Sequence, residues 1–478
     1  MLWSSARTSL ARGQDAAQQV SLRPFVTCVE SLPQARLRVH WGYLNRTKAP
    51  LVREHGPSNR LTVGDGAQPK TFQPGFVVQA FHTVAPAAAL NSWTLDGITV
   101  AVDASAHPCS PAQRATSAEE LVNPAPGSAL FLGANFWSMQ WQGAHEYFFD
   151  GASFAPNKSP WLPQFLSDLA PYRVLRFMDW NLTNDAKNPQ SNWSTRRPRG
   201  QAQVEPIAFE WQIDLCNRTL KDYWVNVPHE ANAEYFTQLA RLIRELLDPR
   251  LRVYVEWSNE VWNGSFPQHG YARAQGKQLG LPGDDSGMAF QVQQSVKLFE
   301  AFEGVFGADS PRLVKVLAGQ AAWAGPCRAQ LAALAHPKIN PKRIKPHVYA
   351  IAPYVTGTTP EELRGPGVNE AKSWIAEARS CSDRAGLPLI AYEGGQDSFA
   401  LGVSGCERLQ RDPALRSLYA SLPDVFAAAG LKGPFMHYTH TGSCWGLKVH
   451  TSDPPHAAPK YQGLLDWLNR TKTNKPAR

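Results

Sequence analysis

Two carboxyl groups far apart in the chain stand in similar surroundings. Glu260 lies in Val253-Tyr-Val-Glu-Trp-Ser-Asn-Glu260-Val-Trp-Asn263, and Glu393 ends Leu389-Ile-Ala-Tyr-Glu393-Gly-Gly. Each follows an apolar run of strand length and precedes a turn or polar loop, so each is expected at a strand end. One such carboxyl can donate a proton while the other, kept ionised, attacks or stabilises a cation. That is the division of labour glycosidic cleavage requires. Glu256 is the local competitor, and alternation along the strand is expected to point it away from the site. Arg176, in Leu175-Arg-Phe-Met-Asp-Trp180, could lower a neighbouring carboxyl's pKa and hold its oxygens by directed hydrogen bonds. An ion pair with Asp179 is its structural alternative, and Asp179 ranks as the third acid.

Carboxyls separated by so much chain need a scaffold that gathers strand ends. From about residue 129, strand-like runs alternate with amphipathic helices, the grammar of a parallel sheet. Strands are read at 130–137, 173–180, 223–229, 251–257, 314–318, 347–354, 388–393 and 433–438. Helices are read at 160–169, 233–247, 288–306, 413–429 and 461–470, and the stretch Asn181 to Leu220 reads as a long loop. Eight strands with helices between them predict a (β/α)8 barrel over 129–470, with functional residues at the C-terminal strand ends. Upstream, 21–112 reads as antiparallel. Leu37, Val39, Trp41 and Tyr43 alternate with more polar or small residues, and Asp96-Gly97 between two β-rich runs is a hairpin signal. A small β-sandwich is expected there, after a flexible segment 1–20 and before a Ser/Pro/Ala-rich linker 113–128; 471–478 is read as a tail.

Asn259-Glu260 after strand four, with an isolated glutamate after strand seven, resembles the signature of glycoside hydrolase clan A, the retaining (β/α)8 glycosidases. The phrase Glu256-Trp-Ser-Asn-Glu-Val-Trp-Asn-Gly-Ser-Phe-Pro-Gln268 is similar to its cellulase-like branch. The resemblance implies that Glu260 is the general acid/base, Glu393 the nucleophile, and Asn259 a partner of the sugar 2-hydroxyl. It further implies that Arg176 sits beside the nucleophile, that Tyr354 hydrogen-bonds it, and that His229 and Asn135 line the sugar subsite. Trp445 resembles the clan's sugar platform, and Trp180, Trp193, Trp257 and Trp262, at or beyond strand ends, are further stacking candidates. The N-terminal phrases Cys28-Val-Glu, His40-Trp-Gly-Tyr-Leu-Asn45 and Trp93-Thr-Leu-Asp-Gly97 resemble a β-sandwich module of secreted bacterial multidomain proteins. Such modules have cysteines near both ends, which implies a Cys28–Cys109 pair.

Composition bounds the rest. The 478 residues are 43% hydrophobic and 18% charged, enough for a large core. A net charge of +8 is spread along the chain; its one dense cluster, Arg196, Arg197 and Arg199, lies among Pro, Gly and Ser. A solvated loop is expected there rather than a nucleic-acid surface. None of the seven cysteines forms a Cys-x-x-Cys pair, and no metal or other cofactor is expected. Seven Asn-x-Ser/Thr sequons (Asn45, Asn157, Asn181, Asn192, Asn217, Asn263, Asn469) are compatible with secretion. An extracellular location is expected although 1–20 contains no signal-peptide pattern, and no membrane span is read. The expected partner is an oligo- or polysaccharide. A transglycosylase with the same site, or an inactive carbohydrate-binding protein on the same fold, are the rival readings.

Overall fold

The computed structural model describes residues 22–45, 47, 49–63, 67–102, 109, 127, 129–148, 160–185, 188, 190–197, 199 and 205–473. The segment 1–20, the sequon at Asn157 and the linker 113–128, save Gly127, lie outside them. The chain divides into two compact units.

The first unit is antiparallel. β1 (Leu22–Leu32), β2 (Arg36–Asn45) and β6 (Gly75–Pro86) form one three-stranded sheet. β4 (Asn59–Leu61), β7 (Ser92–Leu95) and β8 (Ile98–Ala101) form another, and β3 (Leu51–Val52) pairs with β5 (Thr71–Phe72). Trp41, Tyr43, Phe72, Trp93 and Val100 meet in one buried cluster. Asp96 and Gly97 take φ 47° and 81° between β7 and β8, the left-handed pair that a two-residue hairpin demands. Cys28 and Cys109 are disulfide-bonded.

The second unit is the predicted barrel. β9 (Leu132–Asn135), β10 (Val174–Arg176), β11 (Asp222–Val227), β12 (Val253–Trp257), β13 (Leu313–Ala318), β14 (Val348–Ile351), β16 (Leu389–Ala391) and β18 (Phe435–His437) close in that order. Every pairing is parallel. Its filling alternates along the strands: Val174, Trp224, Tyr254, Val314, Val316, Ile390 and Met436 meet inside. Cys327 pairs with Cys381 and Cys406 with Cys444, which leaves Cys216 as a buried thiol.

Three readings change. Within the expected loop 181–220, Phe209–Thr219 is a helix. Gln212, Asp214, Asn217 and Arg218 on it are buried, so polar residues inside the protein hide the helical stripe. The expected strand 347–354 stops at Ile351, and Tyr354 belongs to a separate short strand, β15 (Tyr354–Thr356), paired with β17 (Gly395–Asp397). Asn45, Asn181 and Asn217 are fully buried, and the Asn45 amide donates to the carbonyls of Ala49 and Phe72; these sequons are internal fittings. No helix among the described residues is long and apolar enough to cross a membrane.

Candidate active site

Arg176, the last residue of β10, is completely buried and organises one layer of the barrel interior. Its Nη1 donates to Glu393 Oε1 at 2.8 Å and to Asn135 Oδ1 at 3.0 Å. Its Nη2 donates to Asn259 Oδ1 at 2.8 Å and to Glu256 Oε2 at 3.0 Å. The register explains the convergence, because Arg176 stands level with Asn135 on β9 and both point inward. Asn135 is therefore a buried support for the guanidinium, its amide donating to the carbonyls of Tyr392 and His437.

Glu256 corrects the sequence reading. Tyr254 belongs to the barrel interior, so Glu256, two residues on, shares its face. It points inward, where Arg176 and the indole of Trp224, at 2.9 Å, bind it.

Glu393 lies just beyond β16 and is nearly inaccessible. Its second oxygen accepts from the Tyr354 hydroxyl at 2.9 Å. The backbone turns at Gly394, φ 149°, where a Cβ would come within 2.8 Å of the Phe435 ring; the position needs a residue without one. Glu260 follows β12 on a tight turn and holds φ 42°, a left-handed conformation that a residue with a Cβ seldom adopts. Its oxygens accept from Tyr392 Oη at 3.0 Å and Asn263 Nδ2 at 2.9 Å. Tyr392, next to Glu393 in sequence, thus reaches across to Glu260.

The two carboxyls differ in their partners. Burial, and then the charge of Glu393, push Glu260 up to about 7. Burial raises Glu393 as well, but the Arg176 guanidinium and the Tyr354 hydroxyl pull it back. When the pair holds one proton, that proton belongs on Glu260, whose hydrogen bonds come from neutral groups, while the cation stabilises charge on Glu393. Asp179, also half-buried, is raised to about 7 by burial and by Glu393, and accepts from Tyr438 Oη at 3.0 Å.

Asn259 is buried, with its carbonyl committed to Arg176 and one amide hydrogen to Asn184 Oδ1 at 3.2 Å. His229 follows β11, packed edge-on against Tyr271 at 5.1 Å. Burial lowers its pKa and keeps it neutral. Its Nδ1 has no hydrogen-bond partner among the described residues.

At the aromatic rim, Trp445 lies between Phe399, nearly parallel at 5.3 Å, and Trp137, tilted at 5.1 Å. Its loop is fastened to the helix Gly402–Gln410 by the Cys406–Cys444 disulfide and by Gln410, whose amide donates to the carbonyls of Gly442 and Gly446. Trp180 is no platform: it is fully buried, stacked with Phe136 at 4.9 Å and Trp161 at 6.0 Å. Trp257 is buried too, Trp193 packs under Arg196, and Trp262 is half-buried. Trp137, Tyr392 and Tyr438 were not singled out in the sequence, although each lies just past a barrel strand. The described residues include one group spaced like metal ligands, Cys28, His40 and Cys109, and its cysteines are bonded to each other.

No family model and no curated protein matches the chain. Among solved structures it is similar to the GH51 arabinofuranosidase from Xanthomonas axonopodis pv. citri, with 13% identity, 71% of this chain and 72% of that one covered, and a TM-score of 0.46. It is similar to xylanase 10B from Thermotoga petrophila RKU-1, with 9% identity, 74% and 96% covered, and a TM-score of 0.39. The endo-1,4-beta-D-mannanase of the same organism gives 11% identity, 70% and 99% covered, and a TM-score of 0.39. These are distant likenesses of fold to clan A glycoside hydrolases.

Proposed function

We propose that the chain is a retaining glycosidase that cleaves a β-linked glycan by double displacement. The observation that carries the reading is the asymmetry of the two carboxyls: Glu393 is held by a buried arginine and a tyrosine, Glu260 by neutral donors and raised to about 7. In the first step Glu393 attacks the anomeric carbon while Glu260 gives its proton to the departing oxygen. In the second, Glu260 as carboxylate takes a proton from water, whose oxygen displaces Glu393 and restores the starting configuration. Asn259 has one amide hydrogen left for the sugar 2-hydroxyl, a contact that strengthens as the ring approaches the oxocarbenium geometry. No cofactor is needed. Three disulfides support an extracellular location.

The test is hydrolysis of a panel of cellulose, xylan, mannan, β-1,3-glucans and aryl glycosides, with the anomer of the first product read by NMR. Retention, with turnover lost in Glu260→Gln and Glu393→Gln, is expected. An inverted product or undiminished turnover in either variant rejects the reading.

A further inference from the structure

The double-displacement scheme leaves a third carboxyl of the site without a task. Asp179 sits on the turn after β10, three residues beyond Arg176. It is half-buried, and among the described residues Tyr438 is the side chain that hydrogen-bonds it. The Tyr438 ring packs edge-on against Tyr354 at 6.5 Å and nearly parallel to Trp137 at 6.2 Å. A continuous set of contacts therefore runs from Glu393 through Tyr354 and Tyr438 to Asp179. Tyr438, Trp137 and Asp179 come from the β18, β9 and β10 side of the barrel and Tyr354 follows β14, whereas Glu260 and its partner Asn263 follow β12. Glu260 must face the departing sugar, so the sugar retained on Glu393 extends toward Asp179.

Resting on the proposed function, we infer that Asp179 and Tyr438 select the retained sugar, accepting hydroxyls of a neutral glycone and excluding an acidic one. The free oxygen of Asp179 is an acceptor for a sugar hydroxyl, and Tyr438 fixes the other. Of the charges acting on Asp179, Glu393 and Glu205 are negative and Arg176 positive, and Arg176 is already shared between Glu256 and Glu393. A uronate carboxylate brought here would meet net negative charge with no free cation beside it among the described residues, whereas a hydroxyl meets a hydrogen-bond acceptor. Burial first, and then the charge of Glu393, raise Asp179 to about 7.

The experiment compares aryl β-glucoside, xyloside, mannoside and galactoside with aryl β-glucuronide, using the wild type, Asp179→Asn and Tyr438→Phe. Near-UV circular dichroism checks each fold. The wild type is expected to favour its best neutral glycoside over the glucuronide by on the order of 100-fold or more in kcat/KM. Asp179→Asn should weaken neutral turnover about 10-fold, chiefly through KM, and narrow the selectivity about 10-fold. Tyr438→Phe should move both in the same direction by less, and it carries the test if Asp179→Asn does not fold. A selectivity ratio unchanged in the folded variants, or a wild type that prefers the glucuronide, overturns the inference alone. No turnover of any glycoside or glycan by the wild type removes the proposed function and this inference together.

Discussion

Arg176 divides one guanidinium between Glu393 at 2.8 Å and Glu256 at 3.0 Å. Both carboxylates are buried, so neither can turn to water for its charge. Replacing Arg176 by Gln is expected to destabilise the fold by about 3–5 kcal/mol, the usual consequence of stripping the partner from a buried charge. It should also raise Glu393, moving the acid limb of the kcat/KM profile to higher pH. Urea unfolding and a pH–rate series would measure the two effects. Unchanged values in both would show that the guanidinium does not hold Glu393.

The two glutamates should fail differently. Glu393→Gln removes the attacking oxygen, and loss of kcat on the order of 10⁴-fold or more is expected with every leaving group. Glu260→Gln should cost about 10²–10⁴-fold on a glycan and much less on an activated aryl glycoside. Added azide should restore turnover in that variant by forming the glycosyl azide. Azide rescue of the Glu393 variant with an unchanged anomer would reverse the assignment.

The raised pKa of Glu260 links activity and stability to pH with a definite sign. The fold favours its neutral form, so its stabilising contribution is complete below the ordinary value of 4.5 and is lost as pH rises through about 7. In the proposed reaction the same proton goes to the leaving group, and kcat/KM should fall above about 7. Glu260→Gln should therefore lose less stability than the wild type between pH 4.5 and 7, measured as denaturant midpoints across that window. Parallel curves would remove the claim.

Trp180 supplies a test of burial against binding. It stacks inside a cluster with Phe136, Tyr147, Phe148, Trp161 and Phe177. Trp180→Ala is expected to cost about 3–5 kcal/mol of stability. A thermal melt near that of the wild type, with KM alone increased, would instead make it a sugar platform.

The barrel was legible because its strands are short apolar runs separated by chain with a helical period, and because two of those runs end in a glutamate. Glu256 was misread since the face a strand residue occupies depends on its phase, and one step reverses it. Tyr254 carried the correct phase, but an inward tyrosine and an outward one look alike without the closed sheet. Trp180 failed for a related reason: a tryptophan at a strand end can cover a ligand or another ring, and only its neighbours from distant loops decide. The helix Phe209–Thr219 was hidden because Gln212 and Asn217 are buried and the Gln212 amide donates to Asn181 Oδ1 and the Ile207 carbonyl, so polarity there does not mark solvent.

The bond between Cys406 and Cys444 gives the rim and the carboxylates separate dependencies. Glu260 and Glu393 take their places from strands, which thiol reagents leave alone, whereas the segment bearing Trp445 is moored covalently to a flanking helix. In a reducing milieu the two carboxyls would keep their places, whereas the segment bearing Trp445 would lose its covalent mooring. Under the proposed function, small activated glycosides would report nothing of that change, and long natural polymers would.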